Sequence, residues 1–354
     1  MNRYDIIIIG GGQSALACAY FLQRRGLDYL ILDDQNEAGR AWLHTWDSLT
    51  LFSPSEYSSL PGRMMPKSER KFPSKDEVIA YLNEYEKHYK VKVQRSVSVN
   101  EVIKTENGFQ LETNQDSYEC KVLISATGTW KKPFIPFVPG SDLFDGQQIH
   151  SANYKNPNNF KAKKVLVVGN GNSGAQILAE VSKVATATWA VQSEPEYLPD
   201  EVDGRVLFDV ASAKYHAMQA GKEFDASQYS LGKIVMVPPV VEARERGALQ
   251  FKQTFKALTK TGVLWPEGIG EQFYTIIWCT GFRSATDHLN SLNIVDEDSR
   301  IKTIETKSTV VPGLYLVGYG NWTGFASATL IGVGRSAKQT IELVATYLNI
   351  LISK

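Results

Sequence analysis

The sequence is poor in cysteine and histidine. Its 354 residues include three cysteines, Cys18, Cys120 and Cys279, and no two of them have the spacing of a redox pair or a zinc site. This argues against a dithiol reductase and favours a reducing, cytoplasmic location. The histidines show no close pair that resembles a set of metal ligands, so we predict no metal site. Their positions are 44, 88, 150, 216 and 288.

The sequence also lacks a net charge and a long apolar run. Its 38 basic and 38 acidic residues cancel, so electrostatics predicts neither nucleic acid nor an anionic membrane as a partner. The longest apolar tail, residues 343–352, is too short to span a bilayer. The length and the 43% hydrophobic content are typical of two globular domains. A homodimer is the expected assembly because twofold dimers are the commonest oligomers.

The first motif present is a glycine-rich turn near the N-terminus. The apolar run Ile6–Ile9 predicts a buried parallel strand, and Gly10, Gly12 and Ala15 follow it as GxGxxA. Glycines in this pattern allow a tight turn and bring backbone N–H groups close to a pyrophosphate. Asp33 ends the next predicted strand, eighteen residues after Ala15, where an acid can accept hydrogen bonds from a ribose diol.

A second motif of the same kind lies near the middle of the chain. A strand ending at Val168 is followed by Gly169, Gly171 and Gly174, which form a full GxGxxG. Gln192 lies eighteen residues after Gly174, the offset that separates Asp33 from Ala15. Two complete motifs suggest that two dinucleotides bind, although a duplicate that has lost its ligand would have the same pattern. Two nucleotides indicate electron transfer, with FAD at the first motif and NADH or NADPH at the second.

A further segment resembles a known family. "FDGQQIHSANY", residues 144–154, fits FxGxxxHxxxY, the fingerprint of flavin-containing monooxygenases, with Phe144, Gly146, His150 and Tyr154 at the defined positions. Related Baeyer–Villiger enzymes end this pattern in Trp, so Tyr154 favours the former branch. "AGRAW", "SATGTW", "CTGFR" and "GYGNWTGFASATLIGVGR" extend the resemblance over nearly the whole chain, and the length is similar to the small bacterial members. We expect His150 to have a structural role and not to be a general base.

The resemblance implies an α/β fold with two Rossmann-like dinucleotide-binding domains, as in glutathione reductase. We predict an FAD domain from residues 1–155 and 286–354, with an NAD(P)H domain inserted at 156–285. A helix starting at about Ala328 would point its N-terminus at the flavin ring.

The motifs and the resemblance together give the candidate cofactor contacts. Those for FAD are Gly10, Gly12, Gln13, Ser14, Asp33, Arg40, Trp42, Val99, Thr127, Gly128, Thr329 and Leu330. Those for NAD(P)H are Gly169, Gly171, Asn172, Ser173, Gly174, Gln192, Ser193, Cys279, Thr280 and Gly281.

The resemblance also implies the chemistry. NAD(P)H reduces FAD, O2 adds to give a C4a-(hydro)peroxyflavin, and one oxygen atom passes to a soft nucleophile such as a small hydrophobic sulfide or amine. Phe52 and Asn321 are the candidates for the flavin and substrate pocket. Phe52 occupies a position where many relatives have Asn, so we expect an apolar wall there and more leakage to hydrogen peroxide.

The sequence leaves two questions open, the choice of nucleotide and the type of reaction. Gln192 and Ser193 are neutral where NADPH-dependent relatives have Arg and NAD-specific folds have an acid, so both nucleotides are expected to work. Glu194 would favour NADH, and Arg205 would favour the phosphate of NADPH. The alternatives to soft-nucleophile oxygenation are Baeyer–Villiger oxygenation of ketones, a disulfide reductase, and a flavoprotein sensor that responds to NAD(P)H without oxygenating a substrate.

Overall fold

The computed structural model describes residues 2–222, 224, 229 and 232–352. Within that part of the chain the α-helices are α1 (Gln13–Arg24), α2 (Lys75–His88), α3 (Asn172–Val181), α4 (Gly204–Gln219), α5 (Pro238–Glu245) and α6 (Val333–Ile352). The strands of the first half are β1 (Asn2–Ile9), β2 (Tyr29–Leu32), β3 (Val93–Gln94), β4 (Val99–Thr105), β5 (Gly108–Thr113), β6 (Ser117–Ser125), β7 (Gln147–His150) and β8 (Lys164–Val168). Those of the second half are β9 (Thr186–Val191), β10 (Phe251–Gln253), β11 (Ala257–Thr259), β12 (Gly262–Leu264), β13 (Gly270–Gln272), β14 (Thr275–Trp278), β15 (Thr303–Ile304), β16 (Lys307–Ser308) and β17 (Leu314–Leu316).

The chain divides into two compact units whose bounds differ from the predicted ones. Unit 1 contains Met1–Leu43, Ser53–Lys132 and Arg283–Lys354, and unit 2 contains His44–Phe52 and Pro133–Phe282. The predicted first boundary at 155 falls inside unit 2, because β7 pairs with β14 in the sheet of that unit. The segment His44–Phe52 joins unit 2 through backbone hydrogen bonds such as that from the Asp47 N–H to the Lys155 carbonyl, at 2.8 Å.

Unit 1 contains a mixed sheet in which the central strands are parallel. Its order is β15-β16-β17-β6-β1-β2-β3, with β5 pairing to β6 and β4 to β5. Strand β1 lies between β2 and β6 and is parallel to both. The run Ile6–Ile9 is buried, as expected for a parallel strand that is covered on both faces. Helix α1 packs against α6 beside this sheet.

Unit 2 contains a sheet of five strands that are all parallel. Its order is β10-β9-β8-β14-β7, so β8, which leads into the second glycine motif, is the central strand. A small antiparallel sheet of β11, β12 and β13 lies in the same unit. The predicted α/β class with two dinucleotide-binding folds is confirmed. Among the described residues, none of the helices combines the length and apolar content that a bilayer span requires.

The last helix begins later than predicted. Helix α6 begins at Val333 and not at about Ala328, because the residues before it form turns. Ala326 has a positive φ of 57°, in the left-handed region that a right-handed helix excludes. The Thr329 hydroxyl donates to the Ala326 carbonyl at 2.8 Å and accepts from the Gly332 N–H at 3.0 Å. These local bonds replace the helical pattern over this segment.

The carboxylate of Glu271 connects the two sheets of unit 2. It accepts hydrogen bonds from Lys164 and Lys252 Nζ, both at 2.8 Å, and from Trp265 Nε1 at 2.7 Å. Burial raises the pKa of Glu271, but these three donors outweigh it and lower its pKa from the ordinary 4.5 to about 2. The ionised carboxylate is therefore a stabilising element of unit 2.

We predict that Glu271→Gln lowers the free energy of unfolding at neutral pH by roughly 2–4 kcal/mol. The folded pKa is depressed, so the contribution is present above the unfolded pKa and is lost as the pH falls toward 2. Urea unfolding at several pH values should therefore show a difference between variant and wild type that shrinks on acidification. The exposed Glu267→Gln is the control, and a pH-independent difference at Glu271 would contradict the prediction.

Candidate functional site

The first glycine turn joins β1 to α1 in unit 1. Gly10 has a φ of 98°, and a Cβ built there would lie 2.8 Å from the Ala126 carbonyl oxygen, so a side chain does not fit. Gly12 precedes α1 and provides no side-chain cap to the helix. The backbone N–H groups of the first turn are therefore left for an external acceptor, as a bound phosphate requires.

The side chains that follow this turn, Gln13 and Ser14, contact other residues of unit 1. Gln13 Nε2 donates to the Ala328 carbonyl at 2.8 Å, and its Oε1 accepts from Trp42 Nε1 at 3.1 Å. The Ser14 hydroxyl lies against Gly318, where a Cβ would be 2.0 Å from Ser14 Oγ. Gln13 and Ser14 thus connect the turn to the 318–328 segment, and their backbone remains the part available to a phosphate.

Asp33 has a different environment from the one predicted. Its side chain is fully buried, and its two oxygens bind Arg40 Nη1 and Arg95 Nη1. The prediction left this carboxylate free for a ribose diol, but the nearby Arg40 and the distant Arg95 already bind both of its oxygens. The neighbouring carboxylate of Asp34 is the one that faces a cavity, and it binds Arg40 Nη1 at 3.1 Å and Lys131 Nζ. Burial raises the pKa of Asp34, but Arg40, Gln35 and Lys131 together lower it, so Asp34 is ionised at neutral pH.

The cavity has a volume of about 340 Å³ and lies at the carboxyl ends of β1 and β2. Four of the predicted FAD residues line it, namely Gly10, Arg40, Val99 and Thr127. Sequence reasoning missed Asp34, Asn100, Lys131, Lys132, Asp287 and His288, which also line it. They come from segments far apart in sequence and belong to no motif, so only the sheet order brings them together.

Arg40 has the features expected of a residue that binds an anionic ligand. Its side chain is 5% exposed, its φ is 43°, and its Nε is a buried donor without a partner among the described residues. A buried unpaired donor is costly, and a phosphate or ribose oxygen would satisfy it. The glycine turn, the uncapped helix and Arg40 therefore fit a dinucleotide such as FAD.

The remaining FAD candidates lie outside the wall of this cavity. Gly128 accepts from the Ala285 N–H at 2.9 Å and Thr127 donates to the Ala285 carbonyl at 2.7 Å, which connects two crossing segments of unit 1. Leu330 is buried and Thr329 closes the turn before α6. Asn321 is exposed at the start of a short 3-10 turn.

The second glycine turn repeats the first one in unit 2. Gly169 has a φ of 126°, and a Cβ there would lie 2.2 Å from the Cys279 carbonyl oxygen. A Cβ at Gly174 would lie 2.3 Å from the Gly169 oxygen, so the first turn of α3 packs directly on the turn. Gly171 faces open space and provides no side-chain cap to α3. This turn therefore has the free N–H groups that a second pyrophosphate requires.

The polar side chains beside the second glycine turn differ in their hydrogen bonds to the protein. Asn172 donates to the Lys233 carbonyl at 3.1 Å and accepts from the Val235 N–H at 2.9 Å, so both ends of its amide bind the chain. Ser173 is partly exposed beside it. Asn172 thus positions the 233–235 segment, which sequence reasoning did not foresee.

The end of β9 carries no charge at the two predicted positions. Gln192 and Ser193 are exposed, and Ser193 Oγ accepts from Asn170 Nδ2 at 2.8 Å. Glu194 is exposed beside them. Arg205, proposed to reach a 2′-phosphate, lies with its Nε 3.9 Å from Asp203 Oδ1.

His150 of the fingerprint uses both ring nitrogens for backbone contacts. Nδ1 accepts from the Ala152 N–H at 3.1 Å, so Nε2 carries the proton and donates to the Gly281 carbonyl at 2.9 Å. Burial lowers the pKa of His150, although the bond to Gly281 opposes that shift. Neither nitrogen is left for proton transfer, which supports the structural role.

The other fingerprint residues also make packing contacts inside unit 2. The Tyr154 hydroxyl donates to Glu180 Oε2 at 2.7 Å, and its ring stacks on Phe160 at 5.9 Å. A Cβ at Gly146 would lie 2.3 Å from the Phe144 ring, so glycine is required at that position. The fingerprint is thus a set of packing contacts.

The three cysteines are free, buried and separate. Burial raises the pKa of the Cys279 thiol, so it stays protonated at neutral pH. Next to it, Thr280 donates to the Phe134 carbonyl, and Gly281 has a φ of 81°. Among the described residues, no group of three His, Cys, Asp or Glu side chains is placed to bind a metal ion.

Phe52 lies at the end of the short segment of unit 2. Its ring centroid is 5.9 Å from that of Phe208 on α4, and its carbonyl accepts from the Gly204 N–H at 2.7 Å. The aromatic pair forms an apolar surface at the start of α4, and Phe52 is only partly buried.

The fold and the two glycine turns define a flavoprotein oxidoreductase with two dinucleotide sites. A family model described as pyridine nucleotide-disulphide oxidoreductase matches residues 7–206. The structure of a flavin-containing monooxygenase from Stenotrophomonas maltophilia is 42% identical, with a TM-score of 0.90 over 98% of this chain and 100% of that chain. The chain belongs to this oxidoreductase family and, within it, to the flavin-containing monooxygenases; it is an enzyme that uses FAD and NAD(P)H.

Two curated relatives agree with this assignment. The oxidoreductase CzcO of Bacillus subtilis is 34% identical over 346 residues, which cover 96% of this chain and 98% of the relative. The probable indole-3-pyruvate monooxygenase YUCCA1 of Arabidopsis thaliana is 30% identical, covering 94% of this chain and 87% of the relative.

The two glycines of the second turn allow a matched prediction. We expect Gly169→Ala to lower the free energy of unfolding by roughly 3 kcal/mol or more, because it adds a backbone clash to a positive φ. A Cβ at Gly171 would face open space, so Gly171→Ala should leave the free energy of unfolding unchanged. The same variant should bind NAD(P)H roughly tenfold more weakly, because the new methyl group blocks the approach of the pyrophosphate. Thermal unfolding and nucleotide titration separate the two effects. Equal losses of stability in both variants would contradict the prediction.

Proposed function

We propose that this enzyme oxygenates soft nucleophiles such as small hydrophobic sulfides or amines, with NADH or NADPH as the reductant. When bound, FAD accepts hydride from the nicotinamide and activates O2 for transfer of one oxygen atom to the substrate. The single observation that carries the proposal is the pair of glycine turns in a chain whose three cysteines are all buried and separate. A nicotinamide nucleotide can supply electrons to a flavin, and the buried, separate cysteines provide no exposed dithiol to receive them.

The protein's own groups suit a role of binding and shielding. His150 has no free nitrogen, and Asp33 is neutralised by two arginines, so neither offers a general base. The residues instead position nucleotides, and apolar side chains such as Phe52 and Phe208 provide a surface that excludes water. Such a site transfers oxygen to substrates that need no proton removed.

Oxygenation of a carbonyl compound is the second candidate. It is favoured by the similarity to the relative whose name refers to indole-3-pyruvate, a 2-oxo acid. Tyr154 at the last fingerprint position favours the sulfide or amine reaction, and its phenol is fully engaged with Glu180. Substrate screening therefore includes both classes.

The test is product analysis with purified enzyme, FAD, NADH and O2. Methyl phenyl sulfide, cyclohexanone and indole-3-pyruvate serve as separate substrates. Sulfoxide as the main product supports the proposal, whereas lactone or decarboxylated acid without sulfoxide supports the second candidate. Oxidation of NADH that yields only hydrogen peroxide with all three substrates contradicts both.

The neutral pair Gln192 and Ser193 leads to a prediction on nucleotide selectivity. Because neither side chain repels or pairs with a 2′-phosphate, we expect kcat/KM for NADH and NADPH to be comparable. Gln192→Arg should raise the NADPH to NADH ratio roughly 10- to 100-fold by adding a charge-assisted contact. Gln192→Asn is the neutral control. A hundredfold preference in the wild-type enzyme would contradict the prediction.

Phe52 leads to a prediction on coupling between NADH oxidation and oxygenation. We expect Phe52→Asn to release less hydrogen peroxide per NADH than the wild type, because an amide can donate a hydrogen bond where the phenyl ring cannot. Phe52→Leu is the apolar control and should not lower the peroxide yield. Peroxide is measured against NADH consumed at saturating sulfide. An unchanged ratio in Phe52→Asn would remove Phe52 from the site.

A further inference from the structure

A buried chain of hydroxyl groups runs behind the cavity of unit 1. His288 Nε2 lies 3.0 Å from Ser125 Oγ, which lies 2.5 Å from the Tyr319 hydroxyl. The Tyr319 hydroxyl lies 2.5 Å from Thr127 Oγ1, and Thr127 donates to the Ala285 carbonyl at 2.7 Å. All four side chains belong to residues that are at most 7% exposed. Water is therefore a poor competitor for these bonds.

The donor in each bond of this chain follows from counting protons. Thr127 has one hydroxyl proton, which goes to the Ala285 carbonyl, so Tyr319 must donate to Thr127. Tyr319 has then used its only proton, so Ser125 donates to Tyr319. Ser125 has no proton left for the imidazole, and His288 must donate through Nε2.

This order fixes the tautomer of His288. Burial lowers the pKa of His288 to about 4, the nearby Asp287 carboxylate opposes that shift, and Arg40 adds to it, so the ring is neutral at physiological pH. A neutral ring that is protonated at Nε2 has a bare acceptor at Nδ1. Nδ1 has no hydrogen-bond partner among the described residues, and His288 lines the cavity together with Thr127.

The cavity lies where the adenosine half of a dinucleotide belongs in this fold. It adjoins the end of β2, beside the carboxylate of Asp34, and in Rossmann folds an acid at that strand end contacts the ribose of the adenosine. The donors of an adenosine are its exocyclic amine and its ribose hydroxyls. An acceptor on the cavity wall is complementary to either.

We infer that His288 is a specificity-determining residue for FAD, accepting a hydrogen bond at Nδ1 from the adenosine half. Tyr319 is the positioning residue that keeps His288 in the accepting tautomer. This inference concerns the cofactor and does not depend on which substrate the enzyme oxygenates.

Removal of the Tyr319 hydroxyl should change the tautomer of His288. In Tyr319→Phe, Thr127 still donates to Ala285, but the Ser125 proton is released from the phenol. Ser125 can then donate to His288 Nε2, which moves the ring proton to Nδ1 and turns the acceptor into a donor. A substitution of a residue that does not itself line the cavity should thus alter FAD recognition.

Dissociation constants of the apoenzyme provide the test, measured by flavin fluorescence. The ligands are FAD, its hypoxanthine analogue, which lacks the exocyclic amine, and its analogue with 2′-deoxyadenosine. The wild type should bind one analogue about three- to tenfold more weakly than FAD, the effect of one neutral hydrogen bond. The analogue that loses affinity identifies the donor as amine or hydroxyl. Equal binding of all three overturns the role of His288.

The variants test the positioning chain. Tyr319→Phe should lose the discrimination between FAD and that analogue, whereas Tyr315→Phe, a buried tyrosine on β17, should retain it. Nitrogen-15 shifts of His288 should report protonated Nε2 in the wild type and in Tyr315→Phe, and protonated Nδ1 in Tyr319→Phe. If the His288 tautomer and the discrimination are unchanged in Tyr319→Phe, the positioning role is overturned.

Discussion

Where a strand turns directly into a helix in this protein, the first glycine of the turn has room for only a hydrogen atom in place of a side chain. Gly10 and Gly169 both meet this constraint, with positive φ and a carbonyl oxygen of a neighbouring segment 2.8 or 2.2 Å from where a Cβ would stand. The close approach fixes where β1 and β8 end and where α1 and α3 begin. It also leaves the first N–H groups of each helix uncapped, so the constraint that shapes the backbone creates the two phosphate sites.

The polar side chains around these turns mostly bind other residues of the protein. Asp33 binds two arginines, Asn172 binds the 233–235 backbone, and His150 joins Ala152 to Gly281. Buried polar atoms are expensive without partners, so each of these contacts adds rigidity where a cofactor must be positioned. The chemistry then comes from FAD and the nicotinamide nucleotide, and the protein contributes orientation and exclusion of water.

The parts of this structure that follow local rules were predictable from sequence. The apolar runs before Gly10 and Gly169 and the spacing of the glycines predicted both βαβ turns, because strand burial and turn geometry are local properties. The start of α6 was not predictable, since Ala326 and Thr329 form side-chain and left-handed turns that a periodic pattern does not reveal. The compact units divide at Lys132 and not at 155, because β7 pairs with a strand more than a hundred residues away.

Most of the residues that line the cavity of unit 1 could not be predicted from the sequence. Val99 and Thr127 were predicted from the resemblance, but Asp34, Lys131 and His288 belong to no motif and meet there only through the order of the sheet. Asp33 and Asp34 are adjacent and chemically identical. Their ion-pair partners distinguish them: Arg40 binds both, Arg95 binds Asp33, and Lys131 binds Asp34. Sequence reasoning chose Asp33 from its offset to the glycine turn, whereas Asp34 is the acid that lines the cavity.

The central claim is that electrons pass from NAD(P)H through FAD to O2 and that one oxygen atom reaches the substrate. Turnover of methyl phenyl sulfide under isotopically labelled O2 tests it most directly, with NADH consumption and sulfoxide formation measured together. The account predicts sulfoxide that carries the label from O2, with at most one sulfoxide formed per NADH oxidised and the remainder recovered as hydrogen peroxide. Sulfoxide whose oxygen comes from water, or NADH oxidation whose whole yield is peroxide that catalase removes, would contradict it.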